Sequence, residues 1–130
     1  MIQVVAGVMM RDGQYLICQR RKDDTHGLKW EFPGGKIEPG ENAEFALRRE
    51  LQEELEIDAT IGRQLFRQVF TNPNQQTFEI LFFVIDSWVG ECVPVTFEQI
   101  CWCAPEQLTD YDFLEADLVF IRQLSAEARA

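Results

Sequence analysis

The chain has one histidine, His26, and two serines, Ser87 and Ser125, in 130 residues. A hydrolase built on a Ser-His-Asp triad has almost no material here. No Walker-type GKS or GKT sequence occurs, which argues against a P-loop nucleotidase. Positive charge is also short. Twelve Lys and Arg stand against 22 Asp and Glu, a formal net charge of -10, so no basic stripe is available to replace the counterions of a nucleic-acid polymer. A small anionic substrate remains compatible with this charge if metal ions screen it. The opening run MIQVVAGVMM lacks a basic leader, a cleavage-like site and the length to span a bilayer. The expectation is a cytoplasmic protein with no membrane partner. Cys18, Cys92, Cys101 and Cys103 show no zinc-ligand spacing and read as reduced, buried thiols. With no internal repeat and no low-complexity linker, residues 1–130 read as one domain with one substantial core.

What the chain does have is a stretch at residues 35–57, GKIEPGENAEFALRRELQEELEI. Pro39-Gly40-Glu41-Asn42 is turn chemistry, with Asn42 placed to cap a helix that starts near Ala43 and frays near Glu56. On a helical wheel with Ala43 at zero, Leu47, Leu51 and Leu55 fall near about 40°, 80° and 120° and mark the buried arc. Glu50 and Glu54 land at about 340° and 20°, inside that arc, and Glu53 lies on its edge near about 280°. An ordinary solvated glutamate face would point the other way. Carboxylates gathered beside an apolar face repel one another and lose hydration, so they need protonation or a cation. A hard divalent ion suits them, because Mg²⁺ and Mn²⁺ take carboxylate oxygens and complete their shells with water and substrate phosphate.

The same stretch resembles the Nudix box: Gly, five residues, Glu, seven residues, Arg-Glu, an aliphatic residue, any residue, Glu-Glu, any residue, Gly, an aliphatic residue. Gly35, Glu41, Arg49, Glu50, Leu51, Glu53, Glu54 and Ile57 are in register, and Glu56 stands where the family usually has glycine. Further likeness to the MutT-like branch extends over nearly the whole chain. The flanking pattern reads as an opening hairpin over residues 2–20 turned at Asp12-Gly13, a loop over 20–29, and long strands at 59–70 and 76–88. A short strand follows at 99–103, then a helical turn at 105–108 and a closing helix at 114–128. These elements suggest a mixed sheet covered by a helix on each side. The resemblance implies the Nudix fold, an α/β (α+β) chain folded as an α/β/α sandwich with a mixed central β-sheet.

The resemblance also implies an activity, Mg²⁺-dependent conversion of a nucleoside triphosphate to the monophosphate and pyrophosphate, with Mn²⁺ as a possible substitute. Glu50, Glu53 and Glu54 would ligate the metal together with the Gly35 carbonyl, and Glu53 would stand closest to the attacking water. Lys36 would contact phosphate, while Arg49 would hold Glu41 or a neighbouring carboxylate in position. Arg20 matches an arginine near the nucleotide in relatives, with a plain surface charge as its alternative. Phe32 and Phe78 are candidates to pack on the base, Phe78 being at least as well explained as core.

Asp117 falls where relatives place an Asn or Asp that reads the base edge. An ionised Asp offers only acceptors and suits the cytosine amino group, whereas a protonated one would serve a guanine-type edge. CTP or modified dCTP therefore stands slightly ahead of 8-oxo-dGTP. Relatives commonly place a further metal-binding Glu where this chain has Thr96, and Glu98 is the nearest substitute. The Glu56 and Thr96 departures motivate a rival reading, a catalytically weak nucleotide-binding or sensing domain. A monomer or homodimer is expected in either case.

Overall fold

The computed structural model describes residues 1–129. The strands are β1 (Ile2–Val8), β2 (Met10–Arg11), β3 (Gln14–Arg20), β4 (Trp30–Glu31), β5 (Gly34–Lys36), β6 (Asp58–Thr71), β7 (Thr77–Val89) and β8 (Phe97–Cys103). Helix α1 spans Ala43–Leu55 and α2 spans Leu118–Arg129, with 3₁₀ turns at Pro105–Asp110 and Glu115–Asp117. One four-stranded sheet has the order β5-β1-β7-β6, with β1 and β7 parallel and the other pairs antiparallel. A second sheet places β3 between β4 and β8, with β2 continuing the hairpin. The expected mixed central layer is present, divided into two sheets. The division falls in the first hairpin, whose expected first strand is interrupted: Met9 leaves the ladder between β1 and β2 and buries its side chain completely.

Local chemistry accounts for the boundaries. Asp12 and Gly13 both hold positive φ, 53° and 76°, the requirement of a two-residue primed turn. The Asn42 side chain accepts the Phe45 N–H at 2.8 Å and caps α1. Ala46, Leu47, Leu51 and Leu55 are completely buried, as the wheel requires. Each of those leucines contributes about 2 kcal/mol of transfer free energy. They pack with Val5, Met9, Leu16, Ile85 and Phe97 on one side of the sheets. Phe120, Ile121 and Leu124 of α2 pack on the other side with Ala6, Ile17, Trp30, Phe32 and Phe82. The single expected core is thus two cores, one under each helix.

Glu56 ends α1 in the left-handed region, φ 58° and ψ 38°, with its N–H donating to the Gln52 carbonyl at 3.1 Å. The helix therefore terminates as a glycine would terminate it, and the glutamate carries the backbone cost. Glu56→Gly should gain about 0.5–1 kcal/mol, raising Tm by about 2–4 °C in thermal denaturation. An unchanged or lower Tm would show that the Glu56 side chain compensates.

The closing segment differs from the expected single helix at residues 114–128. Glu115–Asp117 forms a 3₁₀ turn and α2 begins only at Leu118. The segment before it is anchored to β4 by a single bridge at Phe113, where Trp30 N–H donates to the Asp112 carbonyl and Leu114 N–H to the Trp30 carbonyl, both at 2.9 Å. Asp117 is thereby carried inward and is 6 % exposed. Two cysteines also depart from expectation: Cys18 and Cys103 are buried, but Cys92 and Cys101 are only half-buried.

Candidate active site

An open cleft of about 350 Å³ lies beside α1. Glu50, Glu53 and Glu54 of the helix line it together with Gly34. Arg20, Asp24 and Glu31 line it as well, as do Thr96 and Phe97. The three helix glutamates are therefore gathered at one opening, and the wheel's ordering holds: Glu50 and Glu54 are half-buried, Glu53 exposed.

Two glycines bring β5 against these carboxylates. A Cβ at Gly34 would overlap the Val5 carbonyl oxygen, and one at Gly35 would overlap the Glu50 carboxylate. The Gly34 N–H donates to Glu54 Oε1 at 3.1 Å. Gly34 thus requires glycine for close approach of backbone to backbone, whereas a side chain at Gly35 would displace the Glu50 carboxylate.

Arg49 organises the helix carboxylates. Its Nε donates to Glu41 Oε2 at 2.6 Å and its Nη2 to Oε1 at 2.9 Å, a bidentate pair. Nη1 reaches Glu50 Oε1 at 3.0 Å and Glu53 Oε1 at 3.3 Å, and Nη2 also donates to the Lys36 carbonyl at 3.2 Å. The Arg49 hydrogen bond, aided by the Glu38 N–H, holds Glu41 below the usual carboxylate range. Arg49 thus holds the Glu41 carboxylate by two hydrogen bonds.

Burial pushes Glu54 up to about 9, with the charges of Glu50 and Glu31 adding to the effect and the Gly34 N–H opposing it. Glu50 is raised by burial too, although Arg49 offsets part of the cost. Such a set has the chemistry of a divalent-cation site: hard oxygen donors, mutual repulsion, and burial that a cation would compensate. Among the described residues no three acidic side chains converge on a single point. Arg49 Nη1 draws Glu50 and Glu53 toward itself, and Mg²⁺ needs only one or two direct carboxylates beside water and phosphate oxygens.

The second wall of the cleft comes from the other sheet. The alternation that buries Trp30 and Phe32 under α2 turns Glu31 to the α1 side. Arg20 grips it, with Nε to Oε2 at 2.8 Å and Nη2 to Oε1 at 3.2 Å. Burial raises Glu31, and the Arg20 pair opposes the shift. Sequence reasoning passed over Glu31 and Asp24. The available signal was an acid between two aromatics, Trp30-Glu31-Phe32, in a strand otherwise committed to core.

Four expected site residues lie outside the cleft lining. Phe32 is 2 % exposed and meets Tyr15 and Phe82 edge to face, so its ring is core and is not a platform for a base. Phe78 is half-buried against the same core. Glu98 is exposed and outside the cleft lining, because it is the unpaired residue of a bulge: Gln99 lies opposite Gln19 and Phe97 opposite Arg20. Thr96 lines the cleft instead. Lys36 is exposed at the end of β5, outside the lining residues.

Asp117 lies buried on the α2 side of β4. Burial pushes its carboxyl up to about 8, reinforced by the charge of Glu31 and opposed by Arg20 and the Phe32 N–H. A carboxyl displaced in this direction favours its neutral form, which offers one O–H donor and one carbonyl acceptor.

Residues 1–124 match the NUDIX domain family, and the chain belongs to it. It is accordingly a Nudix hydrolase. A CTP pyrophosphohydrolase of Escherichia coli (strain K12) is 33% identical over 129 residues, covering 97% of this chain and 93% of the relative. An 8-oxo-dGTP diphosphatase of Haemophilus influenzae is 32% identical over 127 residues, with the same coverage of 97% and 93%. The solution structure of the E. coli ORF135 protein superposes with a TM-score of 0.86 at 32% identity, covering 96% of this chain and 89% of that one.

Proposed function

We propose that this protein hydrolyses a nucleoside triphosphate to the monophosphate and pyrophosphate, with cytosine nucleotides as first substrates and 8-oxo-dGTP as the alternative. The observation that carries this reading is the gathering of Glu50, Glu53 and Glu54 along one cleft, with Glu50 and Glu53 tied by Arg49 to Glu41 and Glu54 held by the Gly34 N–H. Nudix hydrolases generally use divalent cations, typically Mg²⁺, and the donor set here suits that ion. When bound, Mg²⁺ would neutralise phosphate oxygens and acidify a water. Glu50 and Glu54, with the Gly35 carbonyl, are the groups assigned to hold it.

The chain's own residues then have separate tasks. Arg49 fixes the carboxylates, so little rearrangement accompanies the reaction. Glu53, exposed at the cleft mouth, accepts a proton from the attacking water at its carboxylate. The new P–O bond forms from that water as the anhydride bond to pyrophosphate breaks.

Asp117 supplies the base argument in altered form. A neutral carboxylic acid can donate to cytosine N3 and accept from its N4 amino group, and it matches the O6 and N1–H of a guanine-type edge equally well. The expected preference, argued from an ionised Asp117, therefore loses that support. Cytosine keeps first place on the likeness to the CTP pyrophosphohydrolase. The setting proposed is nucleotide-pool maintenance in the cytoplasm by a monomer or homodimer. Among the described residues no helix is long and apolar enough to cross a membrane.

The test is pyrophosphate release from CTP, dCTP, 5-methyl-dCTP, 8-oxo-dGTP, dGTP and ADP-ribose, with and without Mg²⁺. Mg²⁺-dependent release led by cytosine nucleotides is expected. Preference for 8-oxo-dGTP would overturn the base assignment, and absence of release from every nucleotide would overturn the reaction.

A further inference from the structure

We propose that Arg21 is a positioning residue: it holds a strap, residues 90–96, against the end of α1, and through the strap's backbone it sets where Glu54 presents its carboxylate to the cleft. The need arises at the helix terminus. An α-helix leaves its last carbonyls without intrahelical partners, and a basic side chain in the last turn commonly offsets them. Here that turn carries Gln52, Glu53, Glu54 and Leu55, with Glu56 as the cap, so no side-chain cation is on hand. The strap supplies donors in its place. Val93 N–H donates to the Leu55 carbonyl at 2.9 Å, and Val95 N–H donates to the Glu54 carbonyl at 3.1 Å while also meeting the Val93 carbonyl at 2.8 Å across Pro94.

The strap has no sheet to hold it. Arg20 opposite Phe97 is the last pair of the β3–β8 ladder, so residues 90–96 run past the helix outside any strand. Gly90 admits the chain at φ 105°, where an added Cβ would stand 3.2 Å from the Glu56 carbonyl oxygen. At the other end Arg21 takes over where the ladder stops. Its Nη2 donates to the Val95 carbonyl at 2.7 Å.

Val95 is therefore fixed from both sides, its N–H by Glu54 and its carbonyl by Arg21. The next two residues, Thr96 and Phe97, line the cleft together with Glu54. Glu54 in turn is held at two points, its backbone carbonyl by the strap and its carboxylate by the Gly34 N–H at 3.1 Å. Arg21 itself is exposed and outside the cleft lining. Its reach into the site runs through one peptide of the strap. Charge and placement make opposite demands of this residue, because removing a cation strengthens binding of a metal ion through space, whereas loosening the strap weakens it. The sign of the effect separates them.

The metal half of the test rests on the assignment of Glu54 to the cation proposed above; the exchange half does not. Amide hydrogen exchange at Val93 and Val95, followed by NMR, should be about tenfold faster in Arg21→Gln, with circular dichroism unchanged. Mn²⁺ affinity, read from the electron paramagnetic resonance of the free ion, should fall about fivefold, the scale of one hydrogen bond. In a Glu54→Gln background the same change should cause no further fall, since both act on one ligand. Lys22→Gln, which removes a charge one residue away, should leave the exchange unchanged and Mn²⁺ affinity equal or higher. Unchanged exchange at Val93 and Val95 would overturn the hold on the strap. Equal or tighter Mn²⁺ binding in Arg21→Gln would overturn the positioning role, and a loss that persists in Glu54→Gln would overturn the route through Glu54. If the wild type binds no Mn²⁺, the metal reading of this helix fails, and the exchange data alone decide whether Arg21 holds the strap.

Discussion

Glu53→Gln should lower kcat by about 10³-fold while nucleotide affinity in the presence of Mg²⁺ changes little. Glutamine keeps the shape and hydrogen-bonding reach of the side chain but cannot take a proton at neutral pH. Glu53 is the glutamate to test because it is the exposed member of the set, its side chain 57% accessible, and its pairing with Arg49 is the looser one at 3.3 Å. Replacement should therefore leave α1 and the Glu41 clamp intact. Single-turnover kinetics alongside titration of a nonhydrolysable nucleotide would separate the two effects. Full retention of kcat would remove Glu53 from the reaction. A loss of affinity matching the loss of kcat would assign Glu53 to holding the cation instead of moving the proton.

Asp117→Asn should make the protein more stable, by an amount that grows with pH. A carboxyl pushed up to about 8 in the fold, from an ordinary value of 3.8, is disfavoured when ionised. Below pH about 4 both the folded and unfolded chains carry it protonated, and it adds no pH-dependent cost. As pH rises toward 8 the unfolded chain releases this proton and the folded chain retains it, so folded stability falls; above about 8 the loss levels off. The ceiling is about 6 kcal/mol for a shift of this size. Asparagine has no such loss, so the difference in Tm between variant and wild type should be small near pH 4 and largest near pH 8 in Mg²⁺-free buffer. A constant difference across that range would show Asp117 ionised and paired in the fold. The same variant should alter base selectivity about tenfold or more, since the amide keeps a donor and an acceptor but fixes which atom carries each.

The helix and its wall of the cleft were legible because their information is local. A period of 3.6 sorts Leu47, Leu51 and Leu55 from the polar side, and the fixed spacing from Gly35 to Glu54 records contacts made within one turn-helix unit. The opposite wall is assembled from three separate segments around Arg20 to Asp24, Glu31, and Thr96 to Phe97. No sequence period links them, so they became visible only once β3, β4 and β8 were paired. Phe32 was misassigned for a related reason. An aromatic beside a glycine-rich turn looks available, yet strand alternation with Trp30 commits both rings to the α2-side core. Asp117 is placed by position in the sequence, but its charge is not legible there, because its ionisation depends on depth of burial, Glu31 and Arg20.

Strand β6 has a consequence beyond the site. It is the outermost strand of its sheet and, at 14 residues, long enough to offer a template for a neighbouring molecule's backbone. Its pairing with β7 slips between Thr60 and Ile61, between Ile61 and Gln64, and between Gln64 and Phe66, leaving regular register only in two runs, Asp58 to Thr60 and Phe66 to Thr71. Each slip twists the free edge and breaks the row of outward N–H and carbonyl groups that an incoming strand must match. The irregularity of this strand thus acts as protection against fibrillar stacking, and restoring a straight ladder there would trade local order for aggregation in concentrated solution.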